Sequence, residues 1–188
     1  MALNVIPHHE MAETNELREI IDIAILEMGG TINGILSPED PSPEESRVIK
    51  FLTDRQSDYS IKCTSEIVVM KDSRAVLDSD REILAAAIVR TPVSRILIPH
   101  GTFTMPETGE FLRAYLGDKI GDKCVVLVGA AIPLHDQDSD APKNLEFALN
   151  NLRVCPPGVW VAIAGRLWDP RKVQKDPNTG EFRERDGV

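Results

Sequence analysis

Two threonines stand directly behind glycines that close apolar runs. Thr31 follows Gly29-Gly30, and Thr102 follows Gly101. Hydroxyls at two strand ends suggest acyl transfer, one as nucleophile and the other orienting water. A hydroxyl needs a base to attack. Lys175 is a candidate if burial lowers its pKa, and it also reads as a solvated lysine in a charged tail. Gly30 lets the backbone turn sharply and lets a substrate come close. The same Gly pair also reads as a purely structural turn. It has neither the GxGxxG pattern nor a P-loop lysine, which argues against a nucleotide loop. Ser73 follows a third strand end. Its hydroxyl and the amides beside it suit a carboxylate, or they make local turn bonds. Thr104, just before Pro106, reads as a helix cap.

Other clusters point away from metals and cofactors. Asp136, Asp138 and Asp140 are spaced like the start of a calcium loop, but the Gly and distal Glu such a loop needs are absent. They read as acids preceding a helix. His8-His9 has no third ligand near it and reads as part of a solvated arm. A net charge of −9 gives no general field for phosphate backbones or anionic membranes, so nucleic acid and membrane are not expected partners. The apolar stretch Cys124 to Leu134 is far below the roughly 18 residues of a membrane span. The N-terminus lacks the basic start and long apolar core of a signal peptide. Cys63, Cys124 and Cys155 are isolated and odd in number. Two of them sit beside apolar runs and read as reduced, buried thiols, which leads to the expectation of a reducing, cytoplasmic setting.

The elements that must position these residues alternate. Residues 1–18 are polar and read as an arm, 19–175 as one domain, and 176–188 as a polar tail, ragged beyond about Lys175. Ile21 to Glu27 is a buried strand. Ser42-Pro43 starts a helix to Asp54. Strands are expected at Ser60–Cys63, Glu66–Met70, Arg95–Pro99, Cys124–Val128 and Val159–Ala164. Helices are expected from Asp78 or Ser79 to Arg90, Pro106–Leu116 and Pro142–Leu152. Alternation with short links specifies a three-layer α/β fold, a mostly parallel Rossmann-like sheet with helices on both faces. Ligands of such sheets bind beyond the carboxyl ends of the strands, where Thr31, Ser73 and Thr102 fall.

Together these residues resemble the bacterial-type L-asparaginase/glutaminase family, specifically its N-terminal domain. Gly29-Gly30-Thr31-Ile32 is similar to the signature TGGTIAG, with Met28 for its leading Thr. His100-Gly101-Thr102 with Thr104-Met105 is similar to HGTDTM. Asp72-Ser73 with Asp80 and Leu84, then Gly129-Ala130 and Asp140-Ala141-Pro142-Lys143-Asn144-Leu145, follow in the family's order. Arg166, Arg171, Val173 and Lys175 match the segment that carries its lysine. The resemblance implies a cofactor-free amidohydrolase acting on a small amide or amino-acid-like ligand. By it, Thr31 attacks the amide, Thr102 and Lys175 move protons, and Ser73 binds substrate carboxylate. Substrate contacts are expected at Gly30, Ser73, Gly101 and Phe103.

The departures bear on activity. Phe103 stands where HGTDTM has its Asp, and it can neither grip an α-amino group nor pair with a lysine. Ile132 replaces the Arg of GAMRP. The loop after Gly34 has no tyrosine to match the family's lid, and no counterpart of the family's C-terminal domain is expected within these residues. Three readings follow. One is a hydrolase whose altered specificity favours a substrate without the α-amino group. Another is an inactive protein that binds a small acid or amide. The last is a subunit or scaffold. A sheet without its second domain should expose apolar surface, so homo-oligomers are expected.

Overall fold

A computed structural model describes residues 18–185; His8-His9 and nearly all of the expected arm lie outside them. Strand β1 (Ile21–Gly29) is buried along almost its whole length. Ile21, Ile23 and Ile25 point to one face of the sheet, and Ala24, Leu26 and Met28 to the other. A strand that is apolar on both faces must be covered on both, and helices cover it. Helices α1 (Arg47–Asp54) and α5 (Ala141–Leu152) close the first face through Val48, Leu52, Leu145 and Leu149. Helices α3 (Asp78–Arg90) and α4 (Met105–Leu116) close the second through Leu84, Ile88, Met105 and Leu112. Helix α2 (Gln56–Tyr59) is a single turn.

The main sheet has the order β2-β1-β3-β4-β5-β6, with β2 (Ile61–Lys71), β3 (Arg95–Pro99), β4 (Cys124–Val128), β5 (Gly158–Ile163) and β6 (Arg166–Trp168). Strands β1 to β5 are parallel, and β6 runs antiparallel to β5. Gly29 lies opposite Lys71, and Pro99 opposite Val128. Every strand-to-helix crossing after β1 to β4 therefore leaves from one rim. The expected three-layer, mostly parallel fold is the one observed.

Local differences have physical reasons. The two short strands expected at 60–63 and 66–70 are one strand, β2, because β1 pairs with it continuously from Ile21 opposite Ile61 to Glu27 opposite Ile67. Ser46, not Ser42, caps α1, and its Oγ accepts from the Ile49 N–H at 3.0 Å. From Lys175 to Arg185 the chain is not ragged. Strands β7 (Val173–Lys175) and β8 (Phe182–Glu184) form an antiparallel hairpin, anchored where Phe182 packs on the core.

The cysteine expectation is overturned for one pair. Cys124 and Cys155 are joined in a disulfide, while Cys63 is a free thiol. Cys124 opens β4, which lies beside the start of β5 with Cys124 opposite Gly158. The sheet thus brings together two residues 31 apart in sequence, which spacing alone does not show. The argument for a reducing setting loses its support. Among the described residues no helix is long and apolar enough to cross a membrane.

Candidate active site at the carboxyl rim

The rim is built from backbone turns that only small residues allow. Gly29 and Gly30 adopt φ +88° and +84°, a region costly for residues with a Cβ. A Cβ on Gly30 would collide with the Gly101 Cα, and one on Gly101 would lie 2.7 Å from the Ser73 Cβ. The ends of β1, β2 and β3 are therefore in backbone contact. Thr31 and Thr102 each stand one residue, about 3.8 Å of Cα spacing, beyond the Gly30–Gly101 contact.

Each turn is held by its own bonds. Thr31–Asn33 forms a 3-10 turn in which the Gly34 N–H donates to the Thr31 carbonyl at 2.8 Å. Asp72 caps the Ser73–Ala75 turn by accepting from the Arg74 N–H at 2.8 Å. Ser73 is 1% exposed, and its Oγ accepts from the Phe103 N–H at 3.2 Å. Thr104, expected to cap α4, sits at the cap position but instead donates its hydroxyl to the Ser73 carbonyl at 2.7 Å. The third strand end thus binds the second rather than its own helix.

Lys175 arrives from β7. Its Nζ donates to the Thr102 Oγ1 at 2.8 Å and lies 4.0 Å from the centre of the Phe103 ring. Burial, and then the nearby Arg74 charge, hold the lysine below its ordinary pKa, against a weaker upward pull from Asp72. Arg74 stacks on Phe103 at 4.8 Å and is bonded to Asp72. The ring is thus flanked by two cations. It stabilises them through its π face, with no carboxylate of its own. Burial pushes the Asp72 carboxyl up, but its bonds from Arg74 more than offset this and leave it below the ordinary range.

A cavity of about 450 Å³ opens beside Thr102 and Lys175 and is also lined by Asp140, Asn144, Glu181 and Phe182. Asp140 is neither a side-chain cap nor free. It accepts from the Ala131 and Ile132 N–H groups at 3.0 and 2.9 Å and from Asn144 Nδ2 at 2.9 Å. His100 is buried beneath the rim. Its Nδ1–H donates to the Gly101 carbonyl at 2.7 Å, and burial lowers its pKa to about 4, so it is neutral.

Of the residues singled out from sequence, Gly30, Ser73, Gly101, Thr102, Phe103 and Lys175 form one contiguous group. Thr31 shares the rim but does not line the cavity, and its hydroxyl makes no hydrogen bond among the described residues. Sequence reasoning missed Arg74, Asn144 and the β7–β8 hairpin as walls of the site. Arg74 lies directly after Asp72-Ser73, so only its stacking on a residue 29 positions away reveals it.

Comparison with known proteins places the chain. The family described as "Asparaginase, N-terminal" matches residues 22–181. An L-asparaginase of Thermococcus kodakarensis is 34% identical over 85 residues, 45% of this chain and 25% of that protein. A probable cytoplasmic L-asparaginase from Campylobacter jejuni is similar in structure, with TM-score 0.73 and 30% identity over 88% of this chain and 53% of that one. L-asparaginase I from Vibrio cholerae has TM-score 0.71 at 24% identity, covering 87% of this chain and 51% of its own, and shows the shared fold. The chain therefore spans a quarter of that curated relative and about half of these solved ones. It belongs to the asparaginase family, through the family's N-terminal domain.

Proposed function

We propose that this chain is an asparaginase-like amidohydrolase that cleaves a small amide through a threonine nucleophile. The observation that carries this reading is the 2.8 Å bond from Lys175 Nζ to the Thr102 hydroxyl at the rim where Thr31 leaves β1. A lysine of lowered pKa has a larger neutral fraction and can accept a proton. In the reaction, the Thr31 Oγ bonds to the amide carbon as its proton passes through Thr102 to neutral Lys175. The C–N bond then breaks and ammonia leaves with that proton. Water, activated by the same pair, hydrolyses the ester and restores Thr31. Gly30 and Gly101 let the ends of β1, β2 and β3 pack close enough to bring Thr31 and Thr102 to one rim, and Ser73 orders the Phe103 turn. Phe103 supplies a π face where the family signature has a carboxylate, which favours a substrate without an α-ammonium group. No step uses a cofactor, and self-association of the chain is part of the same proposal.

Ammonia release from a panel of amides by wild type and by Thr31→Ala tests the reading. Turnover lost in the variant supports it; equal background rates in both overturn it. One observation favours a second reading, a binding protein without turnover. Phe103 is 47% exposed at the site and bears on Lys175 in place of an anionic partner. Small acids or amides would then raise the melting temperature of wild type without releasing ammonia.

A further inference from the structure

Below the Thr31 turn lies a polar cluster that the amide chemistry above does not use. On β1, Ile21, Ile23 and Ile25 face the apolar core of α1 and α5, and the next residue in that alternation is Glu27, 0% exposed. Its Oε1 accepts from the Gly29 N–H at 2.8 Å. Its Oε2 accepts from the Ser46 hydroxyl at 2.6 Å, and Ser46 is the cap of α1. Asn33 ends the turn that begins at Thr31 and is likewise fully buried. Its Oδ1 accepts from the Val48 N–H of α1 at 3.3 Å and lies 3.1 Å from the Ser46 hydroxyl, and its carbonyl accepts from Arg47 at 2.6 Å. Asn33 stands where the signature TGGTIAG has Ala. One carboxylate and one amide thus bind both ends of the Gly29–Asn33 segment to the first turn of α1. An apolar side chain at position 27 would fill the same core without making either tie.

We infer that Glu27 is a positioning residue, whose carboxylate ties the Gly29–Thr31 turn to the cap of α1 and so sets where the Thr31 hydroxyl stands at the rim. Its consequence for catalysis rests on the reading of Thr31 as nucleophile, while the tie itself does not. Both oxygens accept hydrogen bonds, so the ionised form fits the arrangement. A protonated carboxyl donates from one oxygen: the Ser46 tie then reverses, with the Ser46 hydroxyl turning to the Asn33 Oδ1 at 3.1 Å, and the Gly29 tie passes from a charge-assisted to a neutral hydrogen bond. Burial raises the Glu27 pKa to about 7, against the lowering effect of Ser46, Gly29 and Asn33. Charged and titratable groups on the surrounding elements are engaged elsewhere. Arg47 of α1 donates to the Asn33 carbonyl, Lys71 of β2 is bonded to Asp80, and His135 of the β4–α5 loop lies beside Asp136.

The test follows the Gly29 and Thr31 backbone amides by NMR across pH in the full chain, for wild type and Glu27→Gln, together with kcat for ammonia release. In wild type both amides shift in one step centred near pH 7, and from about pH 8 to pH 6 kcat falls more steeply than in Glu27→Gln, by up to about tenfold, as the carboxylate is protonated. In Glu27→Gln the amide step disappears, and kcat keeps only the pH dependence that protonation of Lys175 gives it. Amides that do not respond to pH in wild type overturn the inference, as does a Glu27→Gln enzyme with the wild-type pH profile. An amide step present in wild type and absent in Glu27→Gln, with no ammonia released by either, leaves the tie standing and overturns the hydrolase reading instead. Should Glu27→Gln fail to fold, Ser46→Ala takes its place. Removing one tie while keeping the carboxylate must then move the midpoint of the amide step, and an unmoved midpoint overturns the inference.

Discussion

The two ends of the parallel sheet use polar groups in opposite ways. At the amino end, they close the chain on itself. Cys124 is bonded to Cys155, and Arg153 donates to the carbonyls of Glu19, Tyr59 and Ser60. At the carboxyl end, the glycines at 29, 30 and 101 bring three strand ends together, and a hydroxyl and an amine are left facing a cavity. The amino end ties distant parts of the chain together, and the carboxyl end leaves a hydroxyl and an amine beside a cavity. A parallel sheet makes this division available, because all its strand-to-helix turns of one kind gather at one rim.

The sharpest way to break the comparison is at Lys175. Lys175→Met removes the proposed base, and ammonia release falls by a factor of about 10² to 10⁴ while the melting curve changes little. Steady-state assays beside thermal denaturation check it. The mirror experiment is at the other end. Cys155→Ala opens a loop spanning 31 residues, and the chain-entropy account gives a loss of about 3 to 4 kcal/mol. Denaturant titration measures that loss, with kcat unchanged where the variant is folded.

Titration sharpens the contrast further. His100 is held at about 4 when folded, below its ordinary 6.5. Below 6.5 the unfolded chain therefore takes up the proton first, and stability drops as pH falls toward 4, by on the order of 3 kcal/mol. Glu27 has the opposite sign. Raised from 4.5 to about 7, it favours the folded state fully below 4.5, and that contribution is lost as pH rises through 7. His100→Asn therefore removes the acid-side loss, and Glu27→Gln flattens the neutral side, in denaturation measured pH by pH. The smallest effect is at Phe103. Phe103→Leu removes a cation–π contact worth about 0.5 to 1 kcal/mol and lowers the Lys175 pKa further. Phe103→Asp raises that pKa, and NMR titration of the lysine separates the two.

Some of this was written plainly along the chain. Arg95–Pro99 and Cys124–Val128 read as buried strands because continuous apolar runs bounded by polar turns have few other uses. The glycines before Thr31 and Thr102 marked the rim. Other elements were hidden for equally physical reasons. Thr64-Ser65-Glu66 in β2 is exposed and polar, so nothing local distinguishes it from a loop, and only pairing with β1 keeps it extended. The β7–β8 hairpin looked like a charged tail because its few apolar residues, such as Phe182, gain their value from contact with a distant core.

Residue pattern alone determined the layered architecture, its alternation of strands and helices, and which hydroxyls would stand at the ends of β1, β2 and β3. These follow from hydrophobic periodicity and turn chemistry, which are local. Tertiary packing decided the rest: the Lys175–Thr102 bond across 73 positions, the two cations on Phe103, the Cys124–Cys155 bridge and the buried Glu27. Each depends on distance and dielectric between groups far apart in the chain, and only the folded sheet sets those two quantities.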